Sequence, residues 1–300
     1  MKKDIILKVK NLSKNYGDIK ALDKISFDVR KGELFSFLGS NGAGKSTTIK
    51  ILTTLLKQTS GTYTLNNIND DKYIRSKIGV VFQENVLDPL LTIKENLIFH
   101  ASIIYLDKKD RINKYIEVRD FLEIADIENR KYKTLSGGQK RRAEIARALI
   151  GKPEILFLDE PTTGLDPESR KLVWALVKKL QNESNITVFL TTHYMEESEE
   201  SDYVIIINDG KITACGTPEY LKKKYAKNVL KIRHSKNAQL KNIIGDKIIK
   251  SKNNTLTISN IDKDDAIKIL NSNKQDITDF EYINGSLNDV FLSVVKKDII

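Results

Sequence analysis

Short runs near the start of the chain alternate apolar and polar residues. Ile5-Ile6-Leu7-Lys8-Val9 and Ile25-Ser26-Phe27-Asp28-Val29 approach a period of two, which predicts strands with one buried face. Leu34-Phe35-Ser36-Phe37-Leu38 is mostly apolar and ends at Gly39, as a strand buried on both faces does. A glycine-rich turn follows, then a helical stretch from Lys45 to about Leu56. Residues 61 to 82 hold two more strand-like pieces, the second being Ile78-Gly79-Val80-Val81-Phe82. From about 92 to 150 the period lengthens. Ile93, Leu97, Ala101, Ile112, Tyr115, Ile116, Phe121, Leu122 and Ala125 fit 3.6 residues per turn and predict helices. Another helix is expected just after Leu135. Ile155-Leu156-Phe157-Leu158 reads as a buried strand. A helix at about 168 to 182, a strand at 186 to 191, a helix at 194 to 200 and strands near 203 to 215 complete an α/β domain, a mixed sheet with a helical insertion.

A lysine-rich joint is expected from Tyr220 to Asn228. Beyond it the predicted order is strand (229 to 234), helix (237 to 244), two strands around Asn253-Asn254, helix (262 to 272), strand (277 to 283) and helix (286 to 297). The βαββαβ order suits a small ferredoxin-like α+β domain with a terminal helix. Ser286 and Asp289 give that last helix a capping-box-like start, and Leu287, Val290, Phe291 and Val294 give it one apolar stripe.

The chain has 300 residues, 40% of them hydrophobic. That is enough for two packed domains and argues against wholesale disorder. A single cysteine, Cys215, forms no internal disulfide, so a disulfide-framed secreted fold is excluded. The longest unbroken apolar run, Leu172 to Val177, is far short of the roughly 18 to 20 residues of a membrane-spanning helix. The N-terminal MKKDIILKVK lacks the apolar core of a signal peptide. The expectation is a cytosolic or peripheral protein. The net charge of +10 is uneven: residues 1 to 220 carry +3 and residues 221 to 300 carry +7. A basic tail suits nucleic acid, anionic lipid or an acidic partner. Here the lysines are scattered among apolar residues with no aromatic stacking platform, as in an ordinary soluble domain.

Three segments carry chemistry. Gly39-Ser40-Asn41-Gly42-Ala43-Gly44-Lys45-Ser46-Thr47 lies between a predicted strand and a predicted helix, as a P-loop does. Its glycines let backbone N–H groups close around a phosphate chain, and the helix adds its own free N–H groups and positive dipole end. Lys45 is placed to reach the β- and γ-phosphates and the Ser46 hydroxyl to ligate Mg²⁺. Alone, the loop says only that a nucleoside triphosphate binds. Ile155-Leu156-Phe157-Leu158-Asp159-Glu160 brings two acids to the carboxyl end of a buried strand, where α/β sheets bind ligands. Asp159 would hold Mg²⁺ and Glu160 would act as general base on the attacking water. Leu135-Ser136-Gly137-Gly138-Gln139 opens a helix bearing Lys140, Arg141, Arg142 and Arg147. Ser136 is placed to cap it, so the chain offers a second anion-binding helix terminus.

With these three segments in this order and at these separations, residues 5 to about 220 resemble the ATP-binding cassette (ABC) superfamily of P-loop NTPases. The resemblance matches Gln83 to the Q-loop glutamine, Gly164-Leu165-Asp166 to the D-loop, His193 in Leu-Thr-Thr-His to the switch histidine, and Tyr16 in Asn-Tyr-Gly to the aromatic that stacks on adenine. It implies an active ATPase with ATP and Mg²⁺ as cofactors, and no matched catalytic position is lost. Two cassettes would pack head to tail, with ATP between the P-loop of one and Ser136-Gly137-Gly138-Gln139 of the other. By the same resemblance Lys45, Glu160 and His193 are catalytic. Ser46, Gln83 and Asp159 hold the metal, and Asp166 belongs to the nucleotide site.

The implied domains are a nucleotide-binding domain over 1–220, with a helical subdomain at about 84–150, and an accessory α+β domain over 221–300. Softer signals resemble the ATPases of ABC-2-type exporters, closest to the daunorubicin/doxorubicin-resistance type. These signals are Ile51 to Leu56, Ser60-Gly61-Thr62, Leu87 to Thr92, Gly164 to Pro167 and Ser286 to Leu292. The resemblance implies separate membrane permease subunits, a cassette homodimer, a position on the cytoplasmic face of the membrane, and no nucleic-acid partner. Two alternatives stay open on the sequence: a soluble ABC ATPase acting on nucleic acid or ribosomes, and an importer ATPase.

Overall fold

A computed structural model describes residues 4–235, 248–252 and 254–295. They form two compact units, Met1–Cys215 and Gly216–Ile300. The first holds a six-stranded sheet in the order β5(Ile78–Val81), β6(Ile155–Asp159), β7(Thr187–Thr192), β3(Leu34–Gly39), β8(Tyr203–Asn208), β9(Lys211–Gly216). The pairs β5–β6, β6–β7, β7–β3 and β3–β8 are parallel. A second, antiparallel sheet has the order β2(Ile19–Arg30), β1(Ile5–Tyr16), β4(Ser60–Leu65).

Strand alternation shows why the central strands read as continuous apolar runs. Leu156, Leu158, Val188 and Leu190 pack into one core with helices α3(Ile93–Ile104), α4(Lys108–Phe121), α5(Gly137–Leu149) and α6(Pro167–Ser184). Their neighbours Ile155, Phe157 and Phe189 point the other way, into a second core shared with β1, β2, β4 and α1(Lys45–Leu52). Both faces of the sheet are covered, so Ile155 to Leu158 and Val188 to Leu190 are apolar at every position. Phe27, Phe35, Phe37, Phe157 and Phe189 form one aromatic cluster there, with ring centroids 5.1 to 6.1 Å apart. Fully burying one such ring stabilises the fold by about 1.5 to 3 kcal/mol. This cluster sits beneath the strand ends that carry the site.

Several predicted boundaries move. The strand foreseen at 5–9 runs to Tyr16, because register shifts after Val9 break its alternation without ending its pairing. The helix foreseen to about Leu56 stops at Leu52, since Thr54 adopts a left-handed backbone (φ 63°). A helix not anticipated, α2(Asp71–Lys77), lies between the two strands read in 61 to 82; it buries only Ile74, too little to show a period. The segment read as a joint is largely helical, α8(Pro218–Tyr225), capped by Thr217 and buried through Leu221. It packs within the second unit against α10(Leu287–Val295), which puts the division at 215/216 rather than 220/221.

The second unit has a four-stranded sheet in the order β11(Ile248–Lys252), β12(Thr255–Ser259), β10(Val229–His234), β13(Ile277–Ile283). The pairs β11–β12, β12–β10 and β10–β13 are antiparallel. Counted along the chain the order is 2-3-1-4, the split βαβ arrangement of the ferredoxin-like fold. Helix α9(Lys263–Ser272) covers its core of Leu230, Ile232, Leu256, Ile258, Ile261, Ala266 and Ile269. The helix expected at 237 to 244 lies outside the described residues.

Candidate nucleotide site

The first unit brings its chemistry to the carboxyl ends of neighbouring parallel strands. β3 ends in the glycine-rich loop, β7 beside it ends at Thr192 before His193, and β6 next along ends at Asp159 before Glu160. Parallel pairing aligns these ends, and the crevice beyond them is where such sheets bind ligands.

At the loop, Gly44 has φ 107°, and a Cβ there would stand 2.7 Å from the Ala21 carbonyl oxygen. Only glycine fits. Helix α1 follows with no side chain capping it, in contrast to α2, α3, α4, α5, α6, α8 and α9, whose caps accept backbone N–H bonds. Its first-turn N–H groups remain available to a phosphate. Lys45 is 4% exposed. Its Nζ donates to the Gly39 and Ser40 carbonyls at 2.9 and 3.0 Å and pairs with Glu160 Oε1 at 3.2 Å.

The two acids sit in different surroundings. Asp159 Oδ1 accepts from Thr191 Oγ1 at 2.6 Å and from Ser46 Oγ at 3.3 Å. Glu160 has a left-handed backbone (φ 47°), which costs about 1 to 3 kcal/mol for a non-glycine residue. Its N–H is held by the Thr191 carbonyl at 3.2 Å and by Thr191 Oγ1 at 3.1 Å. Its Oε2 meets His193 Nδ1 at 3.2 Å and accepts from Thr163 Oγ1 at 3.1 Å. Burial pushes the Glu160 carboxyl up. The Lys45 ammonium, His193 and the Thr163 hydroxyl outweigh this, and it stays below the usual carboxylate range. Glu160 is therefore a carboxylate at neutral pH, as a base must be.

A cleft of about 530 Å³ opens over these groups. Of the sequence-predicted residues, Asn41, Gly42, Gly44, Lys45, Ser46, Thr47, Gln83, Glu160 and His193 line it. Gly39 and Ser40 take part through the carbonyls that hold Lys45, and Asp159 through its bond to Ser46. Ala43 is buried behind the loop. Tyr16 does not line the cleft: it is 47% exposed at the β1–β2 turn, with Lys14 Nζ 5.2 Å from its ring centroid.

Ser136, Gly137, Gly138, Gln139 and Asp166 also lie off this cleft. Ser136 and Gln139 form a reciprocal capping box at the start of α5. Asp166 caps α6, accepting from the Ser169 N–H at 2.9 Å. A Cβ on Gly138 would come within 2.7 Å of Ser169 Oγ, so its glycine lets these two helix starts approach. Arg141 and Arg147, read from sequence as part of an anion-binding helix, instead donate to backbone carbonyls at 80 to 83.

Sequence reasoning missed four contributors. Thr191 holds both acids. Thr163 touches Glu160. Ala21 lines the cleft. Glu197, 4% exposed, accepts from Thr162 and Thr192, tying the turn after Glu160 to the strand end before His193. None belongs to a spacing pattern, and only their place in the fold reveals them.

No group of three or more His, Cys, Asp or Glu able to hold a metal occurs among the described residues. A hydroxyl (Ser46), a carboxylate (Asp159) and an amide (Gln83) are instead what Mg²⁺ uses when it arrives on phosphates, keeping few protein ligands. The donor set fits that ion.

A P-loop beside an acid pair and a histidine, with a capped glycine-rich helix start elsewhere on the unit, defines a nucleoside-triphosphate hydrolase of the P-loop class. Residues 22–163 match the family model for the ABC transporter, and residues 216–295 match the model for the ATP-binding protein DrrA1-3-like C-terminal domain. The linearmycin resistance ATP-binding protein LnrL of Bacillus subtilis is 41% identical over 216 residues, covering 71% of this chain and 69% of that protein. The daunorubicin/doxorubicin resistance ATP-binding protein DrrA of Streptomyces peucetius is 37% identical over 231 residues, 76% of this chain and 70% of that one. A solved dimeric ATP-binding cassette, MJ0796, bound to ADP and Pi, superposes with a TM-score of 0.63 at 33% identity, covering 71% of this chain and 98% of that one. The chain belongs to the ATP-binding cassette family, as an ATP-binding subunit with ATPase activity. Such subunits dimerise as cassettes and work with a membrane permease.

Proposed function

We propose that this chain is the ATPase subunit of an ABC-2-type exporter of the drug- and antibiotic-resistance kind, acting as a homodimer on the cytoplasmic face of the membrane beside a separate permease. The match of residues 216–295 to the DrrA1-3-like C-terminal domain carries this reading, since the cassette alone is common to importers and exporters. Two further features agree. No described helix is long and apolar enough to cross a membrane, so a membrane-spanning partner would supply the pathway. On α3 and just beyond it, Phe99, Ile103 and Leu106 are 65%, 69% and 95% exposed, an apolar surface suited to such a partner.

In the proposed reaction, the Gly39–Thr47 loop and the start of α1 bind the phosphates of ATP, with Lys45 on the β- and γ-groups. Tyr16 stacks on the adenine. Ser46, Asp159 and Gln83 hold Mg²⁺, which neutralises phosphate charge when bound. Glu160 takes a proton from the attacking water, and His193 orients that water and the γ-phosphate. Catalysis is positioning plus charge stabilisation. Ser136 to Gln139 of the second cassette, with Asp166 nearby, close the site. Their distance from the cleft of their own chain is what a shared site requires.

Mixing chains carrying Ser136→Arg with chains carrying Lys45→Ala tests the sharing. Each homodimer should be inactive, and the mixed dimer, which keeps one intact site, should regain activity. No recovery would count against shared sites. Co-expression with a polytopic membrane protein encoded beside it should move the chain to the membrane fraction. A chain that stays soluble and binds RNA in a salt-sensitive way would favour the ribosome- or nucleic-acid-directed reading instead.

A further inference from the structure

Three charged residues on one face of α5 grip a single stretch of backbone. Arg141 Nη1 donates to the Phe82 carbonyl at 2.6 Å and Nη2 to the Gln83 carbonyl at 3.3 Å. Glu144 is fully buried, and its Oε1 accepts from the N–H groups of Val86 and Leu87 at 2.8 and 3.1 Å and from Tyr132 OH at 3.0 Å. Arg147 Nε pairs with Glu144 Oε2 at 3.3 Å, and its Nη2 donates to the Val80 carbonyl at 2.5 Å. The spacing 141, 144, 147 keeps all three on neighbouring turns of one helical face. None lines the nucleotide cleft.

A buried ionic group is weak evidence for stability, because apolar replacements of similar volume often stabilise as well or better. What this cluster does supply is direction. Every partner on 80 to 87 is a backbone atom, so the bonds fix where that chain runs whatever its side chains are. Gln83 sits inside the gripped stretch and is the residue from it that lines the cleft. Burial lowers the Arg141 guanidinium from its ordinary value while Glu144 pulls the other way; a guanidinium stays cationic throughout. A fixed fork on two successive carbonyls is a task for which arginine and lysine are not interchangeable.

We propose that Arg141 and Glu144 are positioning residues for hydrolysis: they hold the 82–87 backbone so that the Gln83 amide is kept in the cleft, where it would help hold Mg²⁺. The inference rests on the assignment of Gln83 to Mg²⁺ made above. It assigns the inward face of α5 to the site of its own chain, whereas the start of α5 would serve the partner cassette.

The test is ATPase activity of the full chain titrated with Mg²⁺, alongside nucleotide affinity without metal and the melting temperature. Arg141→Lys and, separately, Glu144→Gln should raise the Mg²⁺ concentration for half-maximal activity about tenfold, the scale on which supporting groups behind a metal ligand act. Metal-free nucleotide affinity should be unchanged. Gln83→Ala should show the same shift, and Gln83→Ala combined with Arg141→Lys should be no worse than Gln83→Ala alone. A normal Mg²⁺ requirement in Arg141→Lys and Glu144→Gln, with Gln83→Ala still defective, would overturn the positioning role and leave the Gln83 assignment standing. A lowered melting temperature with an unchanged Mg²⁺ requirement in the folded protein would show a purely structural clamp and equally overturn it. Multiplying defects in the double variant would mean that Arg141 acts by another route. A normal Gln83→Ala would remove the Gln83 assignment and the inference with it.

Discussion

Glu160 concentrates the chemistry of this site at one residue. It lies between a lysine ammonium and a histidine ring, in a backbone conformation held by two hydrogen bonds that its N–H donates to Thr191. Glu160→Gln keeps the shape and removes the base. It should bind ATP normally, hydrolyse it about 10² to 10³-fold more slowly, a loss of roughly 3 to 4 kcal/mol of transition-state stabilisation, and accumulate an ATP-bound dimer on size exclusion. Near-normal turnover would sink the general-base role. The carboxyl's lowered proton affinity gives a second outcome. A group that binds its proton more weakly when folded contributes stability fully present above its unfolded pKa and lost as pH falls through the folded one. The Lys45–Glu160 pair should therefore contribute fully above the ordinary 4.5 and fade below it. Melting temperature followed from pH 6 downward (roughly the range where carboxylates titrate) should fall less steeply in Glu160→Gln than in the parent.

Among the elements, contrast between helix starts separates structure from function. α3 begins with a complete capping box: Thr92 Oγ1 accepts from the Glu95 N–H at 3.1 Å, and Glu95 Oε2 accepts from the Thr92 N–H at 2.7 Å. The bonds from Thr92 hold the Glu95 carboxyl below its usual range. α1 has nothing of the kind. Thr92→Ala should cost about 1 kcal/mol, read as a melting temperature lower by about 2 to 4 °C for a unit of this size, with ATP turnover unaffected. Leaving α1 uncapped gives up a similar stabilisation at the loop and keeps its N–H groups for phosphate. α5 combines both uses, with a capped start and an inward face that grips the Gln83 stretch.

For the whole molecule, every residue of the cleft lies in Met1–Cys215, and Gly216–Ile300 has its own apolar core. A chain ending at residue 215 should fold cooperatively and bind ATP with the affinity of the full chain, measured by calorimetry. Loss of nucleotide binding in that truncation would contradict an independent first unit. Transport by the assembled exporter, measured in cells with the same truncation, would then report what the second unit adds. Its proposed place beside the membrane gives its excess lysine a natural setting, since an anionic leaflet attracts basic segments.

The sequence by itself determined the class of chemistry and most of the fold. The P-loop, the Asp159-Glu160 pair and Ser136 to Gln139 are contiguous segments whose spacing is local, and buried strands and amphipathic helices write their period directly into the chain. The 2-3-1-4 sheet of the second unit also follows from element order. What failed locally did so for physical reasons: α2 is too short to show a period, β1 is interrupted by register shifts, and α8 has one buried residue amid lysines. Only the tertiary structure decided which groups meet. Lys45 and Glu160 are 115 positions apart, and Arg141 reaches Phe82 across 59. Thr191, Glu197, Arg141 and Glu144 acquire their roles from neighbours that parallel pairing and helix packing bring to them. No local pattern encodes such a meeting, because a buried polar side chain is placed by whichever backbone group it must satisfy, wherever along the chain that group lies.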